Sequence, residues 1–84
     1  MKPPPRSRAV HVARLQAGQG GLIRRILGSP DDVHRLEEFG LRRGVRIEMF
    51  RPGNPCILRI AGTKVCVRCD ARLTLMVVPE PPLP

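Results

Sequence analysis

The segment that most restricts the fold is "CILRIAGTKVCVRC", in which apolar residues alternate with polar and basic ones on both sides of a glycine. Alternation with a period of two is typical of strands that have one buried face. A two-residue loop at Gly62 and Thr63 predicts a hairpin with the cross-strand pairs Ile60 with Val65, Leu58 with Val67 and Cys56 with Cys69. The opposite face then carries Arg59, Lys64, Cys66 and Arg68. A register shifted by one residue would mix the two sets, so this register is favoured.

Three more segments have strand patterns. "VRIEMF" places Val45, Ile47 and Met49 on one side and Arg46, Glu48 and Phe50 on the other. Residues 22–27 form a strand in which Ile23 and Ile26 share a face only if a bulge interrupts the alternation near Arg24 and Arg25. Residues 73–78, "LTLMVV", form the last strand.

The segment that begins at His11 is predicted to open with a short extended stretch and to turn at Gly18 before the strand at residues 22–27. One short helix is predicted between that strand and the strand at residues 45–50. Ser29 is a suitable N-cap, Pro30 fits the first helical position, and Gly40 suits the left-handed residue that ends a helix. We expect Leu41 to fold back on the last turn and Gly44 to turn the chain into the next strand. The apolar face of this helix, predicted to lie on the core, consists of Val33, Leu36 and Phe39.

These elements define the fold class. About five short strands with one inserted α-helix, in roughly 70 residues, predict a mainly β protein with a small SH3-like β-barrel. Seven of the ten prolines lie near the chain ends, where they favour extended, solvated segments. We therefore expect a disordered Pro/Arg tail at residues 1–8, a folded domain at 9–78 and a Pro-rich tail at 79–84.

The charge of the chain indicates an anionic partner. Fifteen Lys and Arg against seven Asp and Glu give a formal net charge of +8, and thirteen of the fifteen are Arg. No stretch approaches the roughly 18 apolar residues of a membrane span, and no apolar run of a signal peptide follows the N-terminus, so we expect a cytoplasmic location. Three irregularly spaced cysteines are typical of reduced thiols rather than of a secreted disulfide framework.

No catalytic or cofactor motif is recognisable. Gly18, Gly20 and Gly21 lack the lysine and the following helix of a phosphate-binding loop, and Ser29 is already explained as a cap. Cys66 and Cys69 have half of a zinc-knuckle spacing, but residues three apart in a strand face opposite ways. His34 with Glu37 or Glu38 is better explained as a solvated helix face. We expect no enzymatic activity, no cofactor and no metal site.

The order of these signals resembles the ferrous iron transport protein A (FeoA) family over residues 15–78. The pieces that match are "RLEEFGLRRGVRIEM", Pro55, the turn from Ile60 to Gly62, and "RCDA" at residues 68–71. The resemblance implies an SH3-like barrel with an inserted helix, a cytoplasmic location and no enzymatic activity. It also implies a regulatory role beside FeoB, the membrane transporter of ferrous iron, whose cytosolic part carries a GTPase domain. Membrane association would then occur through this partner only.

The predicted partner-binding surface is basic with one apolar anchor, and consists of Arg42, Arg43, Arg46, Phe50 and Arg51. Loop arginines also often do no more than keep a domain soluble. An alternative function is a basic barrel that binds nucleic acid, or a stand-alone relative of the C-terminal SH3-like domain of iron-dependent repressors. Nucleic-acid barrels usually stack bases on aromatic side chains, and this chain has only two, both Phe. No specific nucleic acid is therefore expected.

Overall fold

The computed structural model, which describes residues 8–70 and 72–80, contains six β-strands and one α-helix. The elements are β1 (Val10–His11), a 3₁₀ turn (Val12–Arg14), β2 (Gly20–Gly28), α1 (Pro30–Glu38), β3 (Arg46–Arg51), β4 (Cys56–Ile60), β5 (Thr63–Val67) and β6 (Leu73–Glu80). All described strands join one antiparallel sheet in the order β1-β6-β2-β3-β4-β5.

The sheet curls around a single apolar core, which confirms a mainly β, SH3-like fold whose barrel is not strictly closed. Strands β2 to β6, the 3₁₀ turn and the helix all contribute side chains to this core. Its most deeply buried members, by relative exposure, are Val12, Leu15, Ile23, Leu41, Ile47, Met49, Leu58, Val67, Leu75 and Val77. The two-residue strand β1, which pairs with β6, overlaps the start of the opening stretch that the sequence predicts to be extended.

The predicted bulge in β2 is present. Ile23 pairs with Val77 and Arg25 with Met76, so Arg24 is the extra residue on its strand. The bulge restores Ile26 to the inner side, where it packs against the core. Two consecutive arginines are thereby left exposed on the outside of the sheet.

The hairpin of β4 and β5 has a different register from the predicted one. Ile60 pairs with Thr63, and the further pairs are Leu58 with Val65 and Cys56 with Val67. The two-residue loop is therefore Ala61 and Gly62, both with positive φ (49° and 84°), as a type I′ turn requires. The predicted pairing of Cys56 with Cys69 is wrong. Because the difference is two residues, every side chain keeps its predicted face.

The helix is capped at both ends by local hydrogen bonds. The Ser29 hydroxyl accepts the Asp32 N–H at 3.2 Å, and Pro30 is in the first turn. At the other end, Gly40 has φ +95°, and the N–H groups of Gly40 and Leu41 donate to the carbonyls of Glu37 and Leu36, each at 3.0 Å. This pair of bonds is a Schellman motif.

One predicted core residue lies outside the core. Phe39 is 59% exposed, whereas Leu41 is fully buried and Leu36 nearly so. The chain reverses at Gly40 and brings Leu41 under the last helical turn, beside Leu36. Leu41 thus fills the position that the helical periodicity assigns to Phe39.

The folded region extends slightly beyond its predicted C-terminal boundary. β6 continues to Glu80, and Pro79 is buried opposite Gly21 of β2. A proline is tolerated there because β1 pairs only with Met76 and Val77, which leaves this end of β6 open on one side. Residues 1–7 and 81–84 of the predicted tails, and Ala71 of the "RCDA" motif, lie outside the described residues. The described helices are all too short or too polar to cross a membrane.

Candidate functional site

A basic groove lies between α1 and the bulged part of β2, with a volume of about 570 Å³. Its rim carries three arginines, two from the bulge (Arg24 and Arg25) and one from the loop after the helix (Arg43). Apolar and acidic side chains complete the lining: Ala9, Ile26, Val33, Glu37 and Met76. We call this surface the arginine groove.

Backbone hydrogen bonds fix the two arginine-bearing segments beside each other. The Gly44 N–H donates to the Ile23 carbonyl at 2.7 Å, and the Ile23 N–H donates to the Val45 carbonyl at 2.9 Å. The backbone next to Arg43 is therefore hydrogen-bonded to β2 at Ile23, the residue directly before the bulge. These bonds fix the backbone positions from which the arginine side chains extend, although Arg43 itself lies on a loop.

The electrostatics of the arginine groove favour an anion. All three arginines are exposed, and among the described residues none of them has an acidic side chain within ion-pair distance. Three arginines against the single Glu37 leave the lining with a net charge of +2. Guanidinium groups bind carboxylates and phosphates through paired, charge-assisted hydrogen bonds. The arrangement can therefore hold an acidic group of a partner beside the apolar side chains of the lining.

The five residues of the predicted partner-binding surface do not form one cluster. Arg43 lies at the arginine groove, while Arg42 donates through Nε to the Glu37 carbonyl at 3.4 Å, at the end of the helix. Arg46 lies on the outer face of β3 and its Nε is 3.7 Å from the carboxylate of Glu80. The predicted surface is thus divided between the end of α1 and the outer face of the sheet.

Phe50 belongs to a separate patch on the outer face of β3, β4 and β5. A second bulge, between Met49 and Arg51, leaves Phe50 without a partner in β4, and both Phe50 and Arg51 are exposed. The Lys64 ammonium lies 3.9 Å from the centre of the Phe50 ring, and the Arg59 guanidinium lies 5.2 Å from it. Arg59 also contacts Glu48 at 3.3 Å. We call Glu48, Phe50, Arg59 and Lys64 the outer patch.

The cysteines do not converge on a metal site. Cys56 and Cys69 line a small cavity of about 130 Å³ with His11, whereas Cys66 is exposed on the outer face. Burial, followed by the neighbouring Cys69 thiolate, raises the pKa of Cys56 to about 11, and burial also raises the pKa of Cys69. Burial thus makes both thiols weaker acids than an ordinary cysteine, which lowers their reactivity as nucleophiles. In the part of the chain that the structure describes, no three His, Cys, Asp or Glu residues group as metal ligands.

Sequence reasoning missed Arg24 and Arg25 as site residues and did not connect Phe50 with Lys64. The predicted bulge is the sequence signal for Arg24 and Arg25, because returning Ile26 to the core leaves the two arginines exposed. The second association needed the true hairpin register, which places Lys64 opposite Arg59 and both near Phe50.

The comparison with family models decides the family. The model of the FeoA domain matches residues 10–78, which is most of the chain. The chain belongs to the FeoA family. The FeoA domain is a small accessory domain, and the membership supports a role in ferrous iron uptake.

A solved structure has the same fold as this FeoA-family chain. It is described as the crystal structure of an iron uptake regulatory protein (FeoA), and it aligns with a TM-score of 0.72 at 22% sequence identity. The alignment covers 86% of this chain and 99% of that chain. The comparison with curated proteins gave no match. The structural likeness supports the SH3-like fold with an inserted helix, and the arginine groove is a feature of this chain's own residues.

Proposed function

We propose that this FeoA-family chain is a non-enzymatic cytoplasmic regulator of ferrous iron uptake that binds the cytosolic, GTPase-bearing part of FeoB. Membership of the family supports the pathway. The observation that carries the binding proposal is the arginine groove, where Arg24, Arg25 and Arg43 face solvent without an acidic partner among the described residues.

The groove fits an acidic side chain or loop of a protein better than a nucleic acid. Its lining contains Ile26, Val33 and Met76, so a partner that brings both carboxylates and apolar atoms can contact both the charged and the apolar part of the groove. A nucleic acid would require aromatic stacking platforms or an extended basic track. The chain has no Trp or Tyr, and the ring of Phe50 is already in contact with Lys64.

Arg42 and Arg43 have different roles under this proposal. Arg43 contacts the partner through the groove, whereas Arg42 stabilises the C-terminal end of α1 by donating a second hydrogen bond to the Glu37 carbonyl, which also accepts the Gly40 N–H. Arg46, Phe50 and Arg51 lie away from the groove and are not required for this contact. Of the five residues predicted for the partner-binding surface, the proposal keeps Arg43. It adds Arg24 and Arg25.

Uptake of ferrous iron in cells tests this proposal. A strain without its own copy of the chain is complemented with the wild type, with a groove variant (Arg24→Glu and Arg43→Glu), or with a matched control (Arg14→Glu and Arg72→Glu). The control changes the net charge equally at exposed residues outside the groove. We expect the groove variant to behave as the empty strain and the control as the wild type. Full uptake with a folded groove variant would contradict the proposal.

A further inference from the structure

The sheet ends at β5, and one edge of this strand is unpaired. β5 is the terminal strand in the sheet order and pairs only with β4 among the described strands. Its sequence, "TKVCV", is rich in β-branched residues and contains no proline or glycine, and its pairing with β4 is regular. Such an edge is a template for a further strand unless something covers or blunts it.

The hairpin register shows which backbone groups point outward. In the type I′ turn, Ile60 and Thr63 flank the loop as a hydrogen-bonded pair. The pattern alternates along an antiparallel pair, so Lys64 and Cys66 direct their N–H and C=O groups away from β4. Within the described residues, the backbone N–H and C=O groups of Lys64 and Cys66 make no hydrogen bond to other backbone groups. The edge therefore offers two donors and two acceptors at the spacing of a β-ladder.

The outer patch determines the charge beside this edge. A lysine on an edge strand repels a second strand that is itself basic, but it attracts one that carries carboxylates. Here the Lys64 ammonium is drawn over the Phe50 ring, at 3.9 Å from its centre, and lies beside Arg59. The one acidic residue of the outer patch, Glu48, is already bound by Arg59. The outer face of the sheet next to the β5 edge is thus positively charged.

We propose that the free edge of β5 binds an extended acidic segment of another protein as an additional strand. Only a peptide backbone supplies alternating donors and acceptors to Lys64 and Cys66, which disfavours nucleic acids and lipids as occupants. Alternate side chains of the added strand fall beside Lys64, where carboxylates are favoured. A second copy of this chain is a poorer occupant, because both copies carry a charge of +8. This site is separate from the arginine groove and does not depend on the proposed function.

Amide hydrogen exchange of the isolated chain, measured by NMR, tests the proposal. The probe is a synthetic peptide of about seven residues that alternates valine and glutamate, and the control peptide carries lysine in place of glutamate. We expect the acidic peptide to slow exchange of the Lys64 and Cys66 amides about tenfold or more, since these N–H groups become hydrogen-bonded. The basic peptide should leave them unchanged. Protection confined to residues of the arginine groove, or equal protection by both peptides, would overturn the proposal.

Two variants separate backbone pairing from charge. Cys66→Pro removes an N–H that points away from β4, so it should keep the fold but abolish the protection of Lys64, whereas Cys66→Ala should retain it. Lys64→Glu keeps the backbone and should weaken binding of the acidic peptide while favouring the basic one. If Lys64→Glu binds the acidic peptide as the wild type does, the proposal fails, whether or not the proline variant folds. It also fails if these amides are protected without peptide and sedimentation shows a dimer.

Discussion

Replacing Leu41 by alanine tests whether this residue, rather than Phe39, closes the core beneath the helix. Leu41 is fully buried, so its truncation removes apolar contacts and leaves a cavity. Buried leucines truncated to alanine lose about 2 to 5 kcal/mol, and we expect about 3 kcal/mol of lost unfolding free energy here. For a domain of this size, that corresponds to a fall in Tm of about 12 to 24 °C.

The matched control is Phe39→Ala. Phe39 is the larger side chain, but it is 59% exposed, so its removal should change the free energy of unfolding by only about 0.5 kcal/mol. Urea unfolding followed by far-ultraviolet circular dichroism measures both variants, since the chain has no Trp or Tyr for fluorescence. Equal losses in the two variants, or a larger loss for Phe39→Ala, would refute the packing described for the helix.

Three further predictions concern stability. Ser29→Ala should lose about 1 kcal/mol in urea unfolding, because the Asp32 N–H loses its acceptor, and an unchanged midpoint would contradict the cap. With the pKa of Cys56 raised from 9.0 to about 11, stability should fall between about pH 9 and 11, where the unfolded thiol loses its proton first. Cys56→Ala should reduce this fall, and an identical pH profile would argue against the buried thiol. Ala61→Asn should gain up to about 1 kcal/mol, since asparagine before Gly62 suits the positive φ of a type I′ turn, and a loss would contradict that turn.

The helix and the faces of the strands could be predicted from the sequence because they depend on local chemistry. Ser29, Pro30 and Gly40 act within a few residues of their own position. The faces of β4 and β5 follow from alternation alone, which is why they survive a register error of two residues. The turn itself was misplaced by one residue, since Ala61 tolerates a positive φ that the sequence alone would assign to glycine.

The candidate site was harder to predict because it depends on tertiary contacts. Arg24 and Arg43 are far apart in the sequence and meet only because Gly44 and Val45 pair with Ile23. Helical periodicity assigns Phe39 to the core, but the Schellman motif places Leu41 there instead. A charged residue in the sequence does not identify a binding site until the fold shows which charged side chains lie on the same surface.

The affinity of the purified chain for the cytosolic domain of FeoB, measured by biolayer interferometry at low salt, tests the central claim most directly. The wild type is compared with Arg24→Glu and Arg43→Glu together, and with the control pair Arg14→Glu and Arg72→Glu. Charge reversal against an acidic partner face costs several kcal/mol, so we expect Kd to rise at least about 100-fold for the groove variant. The control should stay near the wild-type value. An unchanged Kd in a groove variant with the wild-type Tm would contradict binding through the arginine groove.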